Sequence, residues 1–304
     1  MTSPHDLAQE LFKRLNPDDV VEAVRPVCTE ELLTRFGKLA DKDVHEKTCA
    51  EDLQTIADVE SERRLTNLLP KLLPGSVVLG EEAVAADPAV LSLLTSDKFV
   101  WIVDPLDGTW YFRHGQSGFT MLIALTHKGI PLMSFVVRPN LDKPTEPEAQ
   151  DVFVSVKGMG ARLNGTKGQI IRVARPPALE QDLKTVWITR PEGQTTGRPV
   201  KDEDLPPLIG TCRSSRAIGI DFIDMVAGKG THIIGYNRCF ITPWDIAAPH
   251  LLLLESGATW LQSTPIYRAS LDEPLRIVTA SSEPLARKAW AILHPNTPSP
   301  FVIG

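Results

Sequence analysis

Between Ser76 and Ala174 the chain carries a succession of short β-branched and aromatic runs, SVVLGEE, VWIVDP, FTMLIALTHKG, PLMSFVVRP, DVFVSV and QIIRVA. Gly, Pro or Asn breaks off the runs, so they read as separate strands, with His127-Lys128-Gly129 as a hairpin turn. Helical patterns precede them. Asn16-Pro17-Asp18-Asp19 reads as a cap with proline in the first turn, opening a helix toward Leu39 that Pro26 kinks. From Asp52 to Leu72 the residues Leu53, Ile56, Leu65, Leu68, Leu69 and Leu72 fall at three- and four-residue steps, which predicts a helix with one buried stripe. Beyond Leu183 the order is strand (TVWITR), a polar Gly/Pro-rich stretch, helix (Ser214 to Ala227), strand (THIIGY), helix (Pro243 to Ser256) and two short strands. The expected organisation is an N-terminal α+β half, 1–182, and a C-terminal α/β half, 183–304, with Pro191 to Pro207 as the linker or mobile loop.

Chemistry is most concentrated in VWIVDPLDGTWYF, Val100 to Phe112. A strand that ends in Asp104-Pro105-Leu106-Asp107 delivers one carboxylate at its end and a second after a rigid proline, so both can converge on one point. Pro105 has no N–H, and the Leu106 carbonyl becomes a natural third oxygen. Oxygen donors at this density suit a hard divalent cation such as Mg²⁺ better than zinc, which recruits His or Cys. Gly108-Thr109 then allows a tight bend into a helix whose first N–H groups face any anion the cation holds. Taken alone, DPLDG is equally well a turn.

Two further acidic positions bear on that choice. Glu81-Glu82 follows the apolar run SVVLG, and adjacent carboxylates at a strand end repel unless something positive lies beside them. Read alone, the pair is a solvated acidic loop. Asp245 lies in TPWDIAAPHLLLLESGA, three residues after a capping Thr242 and two after Pro243, so its local reading is a capping-box acid. Trp244 reads as a core or wall residue.

Composition excludes other classes. The formal net charge is −6 and the isoelectric point about 5.7, which lack the footprint that a phosphate backbone needs, so no nucleic-acid polymer is expected as a partner. Cys28, Cys49, Cys212 and Cys239 are scattered without zinc or CxxC spacing and read as reduced, mostly buried thiols of a cytoplasmic protein. The first residues, MTSPHDLAQELFKRL, contain no apolar leader core, and no apolar run is long enough to span a bilayer.

Taken together, these motifs resemble the inositol monophosphatase family of Mg²⁺-dependent, lithium-sensitive phosphatases. WIVDPLDGTWYFRH is similar to its first signature, WDIAAPHLLLLESGA to its second and LGEEAVA to its glutamate motif. Lys47 followed by EDLQTIAD, which ends at Asp58, and KGMGARLNG are weaker matches, and the likeness runs from about Glu46 to about Pro284. The resemblance implies a layered αβαβα sandwich of the inositol monophosphatase and fructose-1,6-bisphosphatase type, commonly a homodimer, with two or three Mg²⁺ ions where the halves meet. By motif position, Glu81, Asp104 and the Leu106 carbonyl would hold the first cation, and Asp104, Asp107 and Asp245 the second. A third, weaker one would sit near Glu81 and Glu82. The implied reaction is hydrolysis of a small phosphate monoester, a polyol, sugar or nucleotide phosphate, by metal-activated water without a phosphoenzyme. Thr109 would accept or orient the proton of that water, Asp58 would hydrogen-bond Thr109, and Gly108 would open the turn that receives phosphate. Apart from the resemblance, Asp58 is a solvated helix acid and Lys47 a surface charge that the motif places near the cation site.

Departures from the family pattern bear on the substrate. Counting back from Asp245, the position that usually holds an acid for sugar hydroxyls falls on Arg238 in YNRCF, where a guanidinium reverses the sign. Arg238 either recognises a second anion on the substrate or pairs with a protein acid. If it meets a second phosphate, a fructose-1,6-bisphosphatase or a 3′-phosphonucleotide phosphatase becomes the rival assignment. A metal-binding or scaffold relative without turnover is the rival from another class. Trp110 and Tyr111 stand where small polar residues commonly follow the threonine, and would narrow the pocket or pack against a partner subunit.

Overall fold

The structure, a computed structural model, describes residues 3–47, 53–173, 217–227, 242–264, 276–294 and 296–303, and the backbone of strands at 186–189, 212–213 and 233–236. The stretch 191–207 read as a linker, Cys49, Cys239 and Arg238 lie outside the described residues.

Helix α1 (Pro4–Arg14) and helix α2 (Pro17–Val27) open the chain. Each starts on a side-chain cap followed by proline, with Ser3 accepting the Asp6 N–H and Asn16 accepting that of Asp18, which satisfies donors that a helix start leaves over. Instead of running on to Leu39, α2 passes into a π-helical segment, Cys28–Leu33, just after Pro26, which has no N–H to continue the α-helical ladder. Cys28 is fully buried there, and burial pushes its thiol up to about 12, far from the thiolate that reactivity needs.

A hairpin of β1 (Val44–Glu46) and β2 (Leu53–Thr55) leads into α3 (Ile56–Leu72). The helix expected from Asp52 begins only at Ile56 because Thr55 caps it, its hydroxyl accepting the Ala57 N–H. Its buried stripe also differs: Ala57, Asp58, Ser61, Glu62, Leu65 and Leu69 face inward, while Ile56 is exposed.

The elements that follow are β3 (Val77–Gly80), α4 (Glu81–Ala86), β4 (Phe99–Asp107), α5 (Thr109–Arg113), β5 (Thr120–His127), β6 (Ile130–Arg138), β7 (Asp151–Val156), β8 (Gly160–Leu163) and β9 (Gln169–Ile171). Then come β10 (Val186–Thr189), β11 (Cys212–Arg213), α6 (Ile218–Val226), β12 (Ile233–Tyr236), α7 (Pro243–Ser256), β13 (Thr259–Gln262), β14 (Ile277–Ala280), α8 (Glu283–Leu293) and β15 (Phe301–Ile303). The expected helix from Ser214 is described only from Ile218, whereas α7 has the expected bounds.

Among the described residues, β3 to β9 form a seven-stranded sheet in sequence order, and a second sheet has six strands in the order β11-β10-β12-β14-β13-β15. Only β3 and β4 run parallel in the first sheet. The β5–β6 turn is the expected one: Lys128 and Gly129 both have positive φ, 51° and 75°, the geometry a two-residue hairpin demands.

Side-chain parity stacks the layers, because alternate residues of a strand point to opposite faces. On β4, Trp101 and Val103 pack with Leu65, Leu69 and Val24 of the first helices, while Val100 and Ile102 pack with Phe222 of α6 and Ile246 and Leu252 of α7. On the second sheet Trp260 and Ile277 join that central cluster, and Leu261 and Val278 face Leu285, Ala289 and Trp290 of α8. The result is the αβαβα sandwich. No helix among the described residues is long and apolar enough to cross a membrane.

Candidate active site

Register brings the first two carboxylates together. Because β3 and β4 are parallel and Gly80 pairs with Val103, the residues that follow, Glu81 and Asp104, emerge side by side at the same end of these two strands. Asp107 reaches the same place through a bulge. Asp104 pairs with Leu122 and Asp107 with Thr120, so three steps along β4 match two along β5. In a regular strand, residues three apart face opposite sides; the extra residue restores parity and turns Asp107 to the face of Asp104. Pro105, which cannot donate to the ladder, lies inside that bulge, and the Asp104 carboxylate closes the turn by accepting the Leu106 N–H at 3.0 Å.

Asp245 arrives from the layer that packs on this face. It is the third residue of α7, where its carboxylate accepts the Thr242 N–H at 3.0 Å, so the acid's half of the capping box is formed. The same residue also belongs to the cluster: burial, and then the charges of Glu81, Asp107 and Asp245, push the Asp104 carboxyl well above its usual range. Burial likewise raises Asp107 to about 7 and Glu81 to about 8. Asp107 is gripped by donors from two elements, the Thr120 hydroxyl at 2.9 Å and the Ile218 and Gly219 N–H groups at 3.0 and 2.7 Å. Burial also raises Asp245. Four acids from three elements thus share one buried neighbourhood, where each is reluctant to ionise.

Positive charge enters from the loop after β1. The Lys47 ammonium lies 2.7 Å from Glu81 and 2.9 Å from Glu82, and Gln54 donates to the other Glu82 oxygen. Burial opposes the charge on Lys47, but Glu81 and Glu82 more than offset it and hold its pKa above the ordinary lysine range. Lys47 is therefore a partly buried group inside the site.

Thr109 starts α5, after Gly108 at φ +89°. A Cβ on Gly108 would lie 2.6 Å from the Gly118 carbonyl oxygen and 2.9 Å from the Ala217 Cβ, so neither conformation nor space admits another residue. The Thr109 hydroxyl is 2.8 Å from the Leu106 carbonyl and 3.0 Å from Asp58. Asp58 is itself buried, 1% exposed, and its other oxygen accepts from the Thr55 N–H and hydroxyl. Burial raises its pKa to about 7, which corrects its local reading as a solvated acid. Trp110 stacks on His114, ring centroids 4.1 Å apart, while Tyr111 lines a cleft of about 370 Å³ with Arg138, Ala217 and Asp224.

The donors fit a hard divalent cation. Among the described residues they are all oxygen and outnumber the ammonium of Lys47, which shows where positive charge is accepted. Among the described residues they do not close into a tight group of three or more acidic, His or Cys ligands; Glu81 turns to Lys47, Asp245 to the α7 cap and Asp107 to α6. One contributor was missed from sequence. Glu62, on α3, accepts the N–H groups of Glu82 and Ala83, both at 2.8 Å. Its signal was an acid four residues after Asp58 on a helix face otherwise apolar toward Leu65 and Leu69.

The sequence profile of the inositol monophosphatase family matches residues 18–294. An inositol-1-monophosphatase of Caulobacter vibrioides is 30% identical over 239 residues, 78% of this chain and 86% of its own length. Inositol-1-monophosphatase SuhB of Mycobacterium tuberculosis is 28% identical over 233 residues, 77% of this chain and 76% of its own. The crystal structure of the extragenic suppressor protein suhB from Bartonella henselae superposes with a TM-score of 0.67 over 91% of this chain and 97% of that one, at 22% identity, a likeness of fold alone. The matched span takes in every carboxylate of the cluster, from Asp58 to Asp245, and the chain belongs to the inositol monophosphatase family.

Proposed function

We infer that this chain, a phosphoric monoester hydrolase of the inositol monophosphatase type, hydrolyses a small phosphorylated metabolite at the Asp104 cluster with magnesium-like ions bound. The observation that carries this reading is the convergence of Glu81, Asp104, Asp107 and Asp245 beside the Thr109 hydroxyl. Glu81, Asp104 and the Leu106 carbonyl would hold one cation, Asp104, Asp107 and Asp245 a second, and Glu81 with Glu82 a weaker third. Bound cations would neutralise a phosphate dianion that the acids alone repel and make a water more acidic.

The chain's own groups do the rest. Thr109, held between Leu106 and Asp58, orients the water and passes its proton toward Asp58, whose pKa of about 7 suits a proton acceptor near neutrality. Attack is direct and in line, without a phosphoenzyme. Gly108, through its positive φ, makes the turn that would aim the first N–H groups of α5 at phosphate. Arg238 is the proposed reader of a second anion on the substrate, and the working unit is a cytoplasmic homodimer.

Release of inorganic phosphate from inositol 1-phosphate, fructose 1,6-bisphosphate and adenosine 3′,5′-bisphosphate, with and without Mg²⁺, tests the reading. Mg²⁺-dependent release from one ester or more is expected. No release from any would leave a binding protein in its place. Comparing the native chain with Arg238→Glu over the same esters locates specificity: preference should move away from the bisphosphates.

A further inference from the structure

The start of α4 lacks a cap of its own. Its first residues are Glu81 and Glu82, and the residue before them is Gly80, which has no side chain to satisfy the leading N–H groups. A helix start left that way frays or finds a partner elsewhere. The partner is Glu62, buried to 5% exposure on α3, whose two oxygens accept one N–H each, Oε2 from Glu82 and Oε1 from Ala83. The fork fixes both the position and the rotation of the turn that carries Glu81.

Gly80 is shaped to this contact. Its backbone is ordinary, φ −106°, so its conformation does not call for glycine. Its space does: a Cβ there would lie 2.1 Å from the Glu62 Cδ and 2.4 Å from each carboxylate oxygen. Glu62 also sits one turn beyond Asp58 on the same helix. One face of α3 thus holds Thr109 through Asp58 and the Glu81 turn through Glu62, and sets the span between the two sides of the site.

We propose that Glu62 is a positioning residue that caps α4 in trans and aims Glu81 at the cation, with Gly80 as the clearance the contact requires. The inference rests on the reading of Glu81 as a cation ligand. Glu62→Gln keeps the size of the side chain but turns one acceptor into a donor that faces a backbone N–H, so the fork breaks while the packing stays. Partners of this kind are worth about 10–100-fold in metal affinity.

The test is Mn²⁺ binding followed by electron paramagnetic resonance on the full chain, with thermal melts in chelator as a fold control and Glu60→Gln, a half-buried neighbour on α3 that pairs with Arg63, as the reference variant. Native protein and E60Q should bind alike and E62Q about 10–100-fold more weakly, with the Mg²⁺ concentration for half-maximal activity raised in step and the rate at saturating Mg²⁺ changed far less. Gly80→Ala should copy E62Q in the native background, yet add almost nothing to Glu62→Ala, whose side chain no longer fills that space. Equal Mn²⁺ affinity in E62Q and the native chain, or losses in G80A and E62A that multiply in the double variant, would overturn the proposal. If the native chain binds no Mn²⁺ at all, the cation reading of Glu81 falls, and this inference with it.

Discussion

Asp104 is where the electrostatic cost of the site is concentrated, because it is buried and three neighbouring acids act on it. Burial and the charges of Glu81, Asp107 and Asp245 raise its pKa well above the usual value. An acid whose folded pKa is raised supplies stability below its unfolded pKa and loses it as pH rises. Exchanging Asp104 for Asn removes that liability, and Asn still accepts the Leu106 N–H. In chelator at pH 8, D104N should therefore melt at a higher temperature than the native chain, and the difference should shrink toward pH 4. Turnover with Mg²⁺ should fall by about 10³-fold or more, since a shared ligand contributes several kcal/mol to charge neutralisation. A variant that melts lower than the native chain at pH 8, or that keeps its rate, removes Asp104 from the centre. DPLDG and GEE announced these carboxylates because Pro, Gly and adjacent acids are local signals. Glu62 went unread because its purpose depends on two N–H groups twenty residues away, and Asp58 looked solvated because burial is a property of the packed helix.

Elements carry the acids in fixed relation, and α3 shows how. Its inward stripe mixes Asp58 and Glu62 with Leu65 and Leu69, so the apolar half anchors the polar half. Leu65 is fully buried against the first sheet; Leu65→Ala should cost about 2–5 kcal/mol, read as a lower urea midpoint with an unchanged slope. A loss below about 1 kcal/mol would mean that the site collapses onto the space and that α3 is not the rigid support described. The bounds of α7 could be read in advance since Thr242-Pro243 and Gly257 punctuate it. Helix α8, with Pro284 in its first turn and Leu285, Ala286, Ala289 and Trp290 facing inward, was not expected, because its apolar stripe is short and half alanine, a weak local signal for a period of 3.6. The bulge in β4 could not be read at all, for it exists only relative to β5.

At the scale of the molecule, the acids sit where two layers meet: Glu81, Asp104 and Asp107 at the C-terminal ends of β3 and β4, Asp245 on a helix between the sheets. The order of those layers followed from the family likeness, since the parity that stacks them becomes visible only once strands are paired. A cation bound to all four acids would tie the layers together, and its effect must depend on pH. Asp58 and Asp107 move from about 3.8 up to about 7, and Glu81 from about 4.5 up to about 8, so in chelator these groups withdraw stability as pH climbs from about 4 to about 8. Two buried histidines act in the opposite direction. His294 is lowered to about 4, and His250, packed edge-on to Trp260, is lowered well below its usual value, both through burial first. A base with a depressed folded pKa loses stability as pH falls from about 6.5 toward that value, and no cation at the acids relieves it. The metal-free chain should therefore melt lower at pH 8 than at pH 6. Mg²⁺ at about 100 times its pH 8 Kd should raise the melting temperature at pH 8 by about 4 °C, and the same concentration by clearly less at pH 6, where the raised acids still carry part of their protons. Scanning fluorimetry across pH 4–9, with chelator and with Mg²⁺, reads both limbs. Equal Mg²⁺ shifts at pH 6 and pH 8, or a chelator curve that rises from pH 6 to pH 8, would show that the acids do not govern how these layers are held.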